Sequence, residues 1–258
     1  MIVLRLTSSV DTYPEVPEEE RSFRIGARAL EQASGEPVET ILRTIWPSEA
    51  LPDIIENWIE RYRPDFVLFW VNPHWFTRID VPLPTRSNNR ALRVAGRLAK
   101  RAGIKKQLAA RAGKVRRRWL LWRLGGSEAF EPDAVIKLTE TCLRRILRHE
   151  EVMPFVRGPM YPAVIVETRS AIARAEARRL VVDRGVKKIC GELRIPYMQS
   201  IDGLGYLKRR LWASDGIHQN AVAHAEMGAD EAHVLIRAWR ESRGLTAIEA
   251  GANASLRR

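Results

Sequence analysis

An α/β fold, with a doubly wound parallel sheet of about five strands, is what this sequence predicts. Three observations carry that expectation. Strand-length apolar runs alternate with helical patterns, the order that makes parallel β-α-β units. The runs are rich in apolar and β-branched residues rather than cleanly alternating, as strands covered on both faces are. The chain has 258 residues, 45% of them hydrophobic, enough for one such domain with an elaboration.

The elements follow in order. Ile2–Leu6 (IVLRL), Val38–Thr44 (VETILRT) and Asp65–Val71 (DFVLFWV) are the principal strand candidates, with Val152–Arg157 (VMPFVR) and Ile195–Gln199 (IPYMQ) behind them. Between the first two, PEEERSFRIGARALEQASG opens on proline and acids and closes at Gly35, the signals of a helix start and stop. SEALPDIIENWIERY follows the second strand, with Pro52 suited to a first helical turn. Val186, Ile189, Cys190 and Leu193 keep the spacing of a core-facing helical stripe. A last helix runs from beyond His218 through Trp239. Residues 81–149 break the rhythm, being helical in pattern and longer than a normal crossover, and read as an inserted helical cap. The expected organisation is a single domain over 1–245 with that insertion, followed by a flexible tail at 246–258.

Charge is concentrated in the insertion. Val81–Ser127 contains fourteen Lys and Arg and no acid, so subtracting them from the formal +12 leaves the rest of the chain near −2. KVRRRWLLWRL (Lys114–Leu124) mixes cations with Trp119 and Trp122, as interfacial helices do. A solvated basic face on a cap helix, with its tryptophans packed inward, is the commoner outcome for such a stretch. Contact with an anionic surface is one expectation for this stretch; no specific nucleic acid is expected. The two cysteines, Cys142 and Cys190, have no zinc-ligand spacing; Cys190 lies on an apolar stripe as a buried thiol would, and Cys142 is ambiguous. No P-loop or complete dinucleotide fingerprint occurs, and neither metal nor cofactor is expected. MIVLRLTSS is broken by Arg5 and too short for a secretory leader, and FVLFWV is strand-length, so a cytoplasmic location is the expectation.

In doubly wound sheets ligands bind beyond the carboxyl ends of the strands. Ser8 and Ser9 follow the first strand, Ser48 the second, and Asn72 the third, while Asp215 and His218 precede the last helix. Each has a plain structural reading as a cap, a loop brace or a surface histidine. Together they supply the roles acyl transfer requires: nucleophile, base, orienting acid and oxyanion donors.

DGIHQN (Asp215–Asn220), followed by AVAHAEMG, resembles the last block of the SGNH (GDSL-type) hydrolases, Asp-Gly-x-His-Pro-Asn, with Gln219 in place of proline. PDFVLFWVN resembles their third block, with Trp70 at the glycine position and Asn72 kept. Thr7-Ser8-Ser9-Val10-Asp11 stands where the first block has Gly-Asp-Ser, and IWPSEAL lacks the second block's glycine. The resemblance covers roughly residues 1–80 and 150–240 and implies a flavodoxin-like sheet.

It further implies a triad in which Ser9 (or, one place out of register, Ser8) attacks an ester carbonyl. His218 then takes the proton, a task suited to an imidazole, and Asp215 orients it. The amides of Ser9 and Ser48 and the side chain of Asn72 would face the oxyanion, and no cofactor is implied. The implied activity is that of an esterase or lipase-like carboxylic ester hydrolase acting through an acyl-enzyme on a small-molecule or lipid-like ester. A non-catalytic or acyltransferase-like module, holding an anionic partner through its basic insertion, is the alternative. His74, Trp75 and Phe76 either line a substrate pocket or bury against a neighbouring helix, and His224 is expected to be a packing residue.

Overall fold

A computed structural model describes residues 1–77, 79–80, 127–128, 130–161, 169–201, 209–216 and 218–245. The chain runs β1 (Ile2–Thr7), α1 (Ser22–Ser34), β2 (Glu39–Thr44), α2 (Leu51–Tyr62), β3 (Phe66–Trp70), α3 (His74–Thr77), β4 (Ile79–Asp80), β5 (Ser127–Glu128), α4 (Pro132–Ile146), β6 (Met153–Arg157), α5 (Arg169–Leu193), β7 (Tyr197–Met198) and α6 (Ala221–Ser242). Two 3-10 turns, Ser9–Thr12 and Glu18–Glu20, precede α1, so the acids expected to open that helix form a turn ahead of it. The main sheet has the order β2-β1-β3-β6-β7 with every pair parallel, while β4 and β5 form a small antiparallel pair. The expected five-stranded α/β sheet is therefore present, with each strand inside or next to its predicted run.

Two helical layers cover the sheet. On one face Val3, Phe66, Leu68 and Phe155 pack against Ala27 and Leu30 of α1 and Leu235 of α6. On the other, Leu4, Leu6, Val67, Phe69 and Val156 meet Ile55 and Ile59 of α2, Leu143 and Ile146 of α4, and Val182, Val186 and Ile189 of α5. All five residues of β3, the middle strand, are buried, which accounts for its unbroken apolar run.

One expectation needs correction. The cap was read as reaching residue 149, but α4 is a framework helix: Val135, Cys142, Leu143 and Ile146 lie in the main core beneath the sheet. The basic stretch 81–126 and the tail 246–258 lie outside the described residues. Cys142 and Cys190 are both buried free thiols, and burial pushes each up to about 12, too high for a thiolate nucleophile near neutrality. No helix among the described residues is long and apolar enough to cross a membrane.

Strand order fixes where a site can form. The chain steps from β1 to β2 on one side, then returns to β3 on the other, so the order reverses between β1 and β3. Such a reversal opens a crevice at the carboxyl ends of the two strands. Leu6 pairs with Phe69 there, and Ser9 and Asn72 each lie three residues beyond that pair.

Candidate active site

The turn after β1 is shaped by a buried ion pair. Arg5 lies among apolar residues of β1 and is 2% exposed; a buried guanidinium requires partners. Asp11 supplies one, accepting from Arg5 Nε at 2.6 Å and Nη2 at 3.0 Å, and it also accepts the Thr7 hydroxyl. Glu231 on α6 supplies the other at 2.5 Å. Burial alone would lower the Arg5 pKa, but Asp11 and Glu231 outweigh it and hold the group above its ordinary value. The chain is thereby drawn back on itself after Thr7. Ser8 is extended, and Ser9 begins the 3-10 turn with its side chain exposed.

The second half of the site precedes α6. Gly216 takes φ of 63°, the left-handed region that favours glycine, and so lets the backbone fold between Asp215 and His218. Asp215 Oδ1 accepts the His218 backbone N–H at 3.0 Å, and Ala213 N–H donates to the His218 carbonyl at 2.8 Å. Asn220 caps α6 by accepting the Ala223 N–H at 3.1 Å.

These segments meet beyond the carboxyl end of β1. Ser9 Oγ lies 3.0 Å from His218 Nε2, and His218 Nδ1 lies 2.5 Å from Asp215 Oδ2. A carboxylate can only accept, so Nδ1 carries the ring proton and Nε2 presents its lone pair to the serine hydroxyl. Ser9, and not Ser8, faces the histidine. Asn72 Oδ1 accepts the His74 N–H at 2.9 Å, which turns its NH₂ the other way, where it makes no hydrogen bond among the described residues.

The remaining sequence candidates divide. Ser48 is exposed beyond β2; its carbonyl closes a turn to Leu51 N–H at 3.1 Å, and the cap position of α2 is Ala50 instead. Ile45 N–H donates to the Thr7 carbonyl at 3.0 Å, so this segment runs along the same sheet edge as Ser9. Trp75 and Phe76 are 0% exposed and belong to the main core, so burial against neighbouring helices, and not the lining of a pocket, is their place. His74 is half-buried beside them. His224 is fully buried, as a packing residue is.

Tyr13 and Glu15 went unnoticed in sequence and both touch the histidine loop. The Tyr13 ring stacks on His218, and Glu15 accepts the Ser214 backbone N–H. Their sequence signal is faint. Arg5 gave a clearer one, since a cation inside a doubly covered strand demands a buried acid.

Among solved structures, this chain is similar to the psychrotrophic esterase EstA of a Pseudoalteromonas species. The two are 12% identical, with 93% of this chain and 98% of that one covered and a TM-score of 0.53. Est24, a carbohydrate acetylesterase of Sinorhizobium meliloti, gives 10% identity, 92% and 97% coverage and a TM-score of 0.51. A protein described as a GDSL-like lipase, from Parabacteroides merdae, gives 12% identity, 95% and 96% coverage and a TM-score of 0.50. The chain has the SGNH hydrolase fold. No protein-family model and no curated protein matches the sequence.

Proposed function

We propose that this chain is a serine ester hydrolase working through Ser9, His218 and Asp215. The observation that carries the reading is the unbroken line of contacts Ser9 Oγ–His218 Nε2–His218 Nδ1–Asp215 Oδ2, at 3.0 and 2.5 Å, at the reversal of strand order. The likeness in fold to esterases supports the reaction class.

In the proposed reaction Ser9 Oγ attacks the ester carbonyl carbon while its proton passes to His218 Nε2. Asp215, held by the His218 backbone N–H, keeps the ring in the tautomer that can accept that proton and balances the imidazolium. The tetrahedral oxyanion is met by the Asn72 NH₂, and by the Ser9 and Ser48 amides. Collapse breaks the bond to the alcohol oxygen, which leaves with the proton from Nε2 and gives the acyl-enzyme. Water then gives its proton to Nε2 and attacks the acyl carbon, and the proton returns to Ser9 Oγ as the acid departs. No step requires a metal or cofactor. The proposed substrate is a small-molecule or lipid-like carboxylic ester.

A fluorophosphonate probe followed by peptide mapping tests the reading. Labelling at Ser9, lost in Ser9→Ala together with hydrolysis of a short-chain ester, is the expected result. Labelling at Ser8, or full ester hydrolysis by Ser9→Ala, would remove the assigned nucleophile.

A further inference from the structure

Tyr13 lies four residues beyond Ser9, and its ring lies flat on the His218 imidazole, with centroids 4.2 Å apart and planes inclined by 10°. Glu15, two residues on, grips the segment that carries the histidine. Its carboxylate accepts the Ser214 backbone N–H at 3.0 Å on each oxygen, and also the Ser214 hydroxyl. The Ser214 hydroxyl and then its amide hold the Glu15 carboxyl below the usual carboxylate range.

The bonds from His218 to Ser9 and Asp215 lie along a line through the two ring nitrogens. Such bonds resist sliding of the ring in its plane, but they oppose rotation about that line only weakly. A second ring packed face to face opposes that rotation. In the acyl-enzyme Ser9 Oγ is esterified and no longer donates to Nε2, so Asp215 alone holds the ring edge-on. The electron-rich face of Tyr13 also attracts the imidazolium formed at each proton transfer, because cations within about 6 Å of an aromatic centroid are stabilised.

We propose that Tyr13 is a positioning residue for His218: its stacked ring keeps the imidazole in the plane joining Ser9 to Asp215, and Glu15 anchors the loop beneath it. The proposal rests on the reading of His218 as the base of an ester hydrolase. Tyr13→Leu removes the ring and Tyr13→Phe keeps it. With a neutral short-chain ester, Tyr13→Leu should lower kcat about 10-fold and leave KM within about 2-fold, the pattern of a misplaced catalytic group. Tyr13→Phe should restore most of kcat, and fluorophosphonate labelling of Ser9 should slow in Tyr13→Leu in parallel with kcat. The Tyr13 ring current should shift the His218 Cε1 and Cδ2 proton resonances upfield in wild type and Tyr13→Phe, and this shift should vanish in Tyr13→Leu. If Tyr13→Leu does not fold, Glu15→Ala serves as the second variant, again expected to lower kcat with KM retained.

Unchanged kcat in Tyr13→Leu, or equal loss in Tyr13→Phe, overturns the stacking role. A rise in KM alone makes Tyr13 a substrate contact instead. A wild-type chain that neither hydrolyses esters nor takes the probe removes the hydrolase reading itself. A labelled wild type with Tyr13→Leu labelled at the same rate removes only the role of Tyr13.

Discussion

Replacing His224 with asparagine should make this protein less sensitive to acid. His224 is fully buried on α6, and its Nδ1 accepts the Ser22 backbone N–H at 3.2 Å. Nε2 therefore carries the proton, buried and without a partner among the described residues. A second proton could enter only at Nδ1, breaking the bond to Ser22 and placing a cation near Arg5 and Arg21. Burial is the main force pushing this imidazole down, with Asp11 opposing it and Arg5, Arg21 and His218 adding to it; the result is a pKa of about 4 against an ordinary 6.5. Above pH 6.5 neither the folded nor the unfolded chain holds the proton, so this group gives stability no pH dependence there. Between 6.5 and about 4 the unfolded chain takes the proton and the folded chain does not, so stability falls as pH falls. Across that window the loss is about 3 kcal/mol, a large share of an ordinary folding free energy.

In His224→Asn the new side-chain oxygen can still accept from Ser22, and the titration is gone. At pH 7 the smaller side chain should cost about 1–2 kcal/mol, within the usual range for a buried truncation. Urea unfolding at intervals from pH 7.5 to 4.5 should then show the two stability curves converging and crossing as pH drops, because wild type loses more than its initial advantage of about 1–2 kcal/mol. Parallel curves would refute the reasoning, since they would mean that His224 is protonated alike in the folded and unfolded chains.

Other expectations concern the site directly. His218→Ala should lower kcat on the order of 10⁶-fold and Asp215→Asn on the order of 10⁴-fold, the scale for losing a triad base and its orienting acid. A fully active Asp215→Asn would contradict the assigned tautomer. Asn72→Ala should lower kcat roughly 10²–10³-fold; unchanged turnover would leave Asn72 as a brace for His74 alone. Asp11→Ala should destabilise the chain by about 3–5 kcal/mol in urea unfolding, because Arg5 stays buried with one acid fewer. A loss under about 1 kcal/mol would show that Glu231 and Ser22 suffice for Arg5.

What the sequence disclosed was what is local. The central strands are runs of adjacent apolar residues, and Asp215 and His218 sit three apart on one turn, so both could be read along the chain. The serine register could not, because it depends on which hydroxyl meets an imidazole 209 residues away. Tyr13 and Glu15 escaped for the same reason: Glu15 finds Ser214 across 199 residues, and nothing beside it in sequence marks the pairing. The α4 helix was assigned to the cap because no strand-like run separates it from the basic stretch. Its buried positions Val135, Thr139, Cys142, Leu143 and Ile146 nevertheless follow a core stripe as regular as that of α5.

The turn that carries Ser9 and the helix that follows His218 are joined through one side chain, Arg5. The Trp70 indole lies beside two buried guanidiniums, Arg5 at 5.3 Å and Arg157 at 6.0 Å from the ring. Two buried cations need two anions, and Asp11 and Glu231 supply them, with Glu231 reaching Arg157 at 3.1 Å. Buried ion networks add little net stability over apolar packing; what they fix is relative position. Here Arg5 binds Asp11, two residues past Ser9, and Glu231, on the helix that starts just after His218. Ser22 adds a second tie, accepting from Arg5 through its hydroxyl and donating to His224 of the same helix through its amide. The turn that carries Ser9 and the helix that follows His218 are thus both tied to β1 through Arg5, on the side where Ser9 Oγ lies 3.0 Å from His218 Nε2. The acid that anchors the turn carrying Ser9 is Asp11, two residues further along the chain.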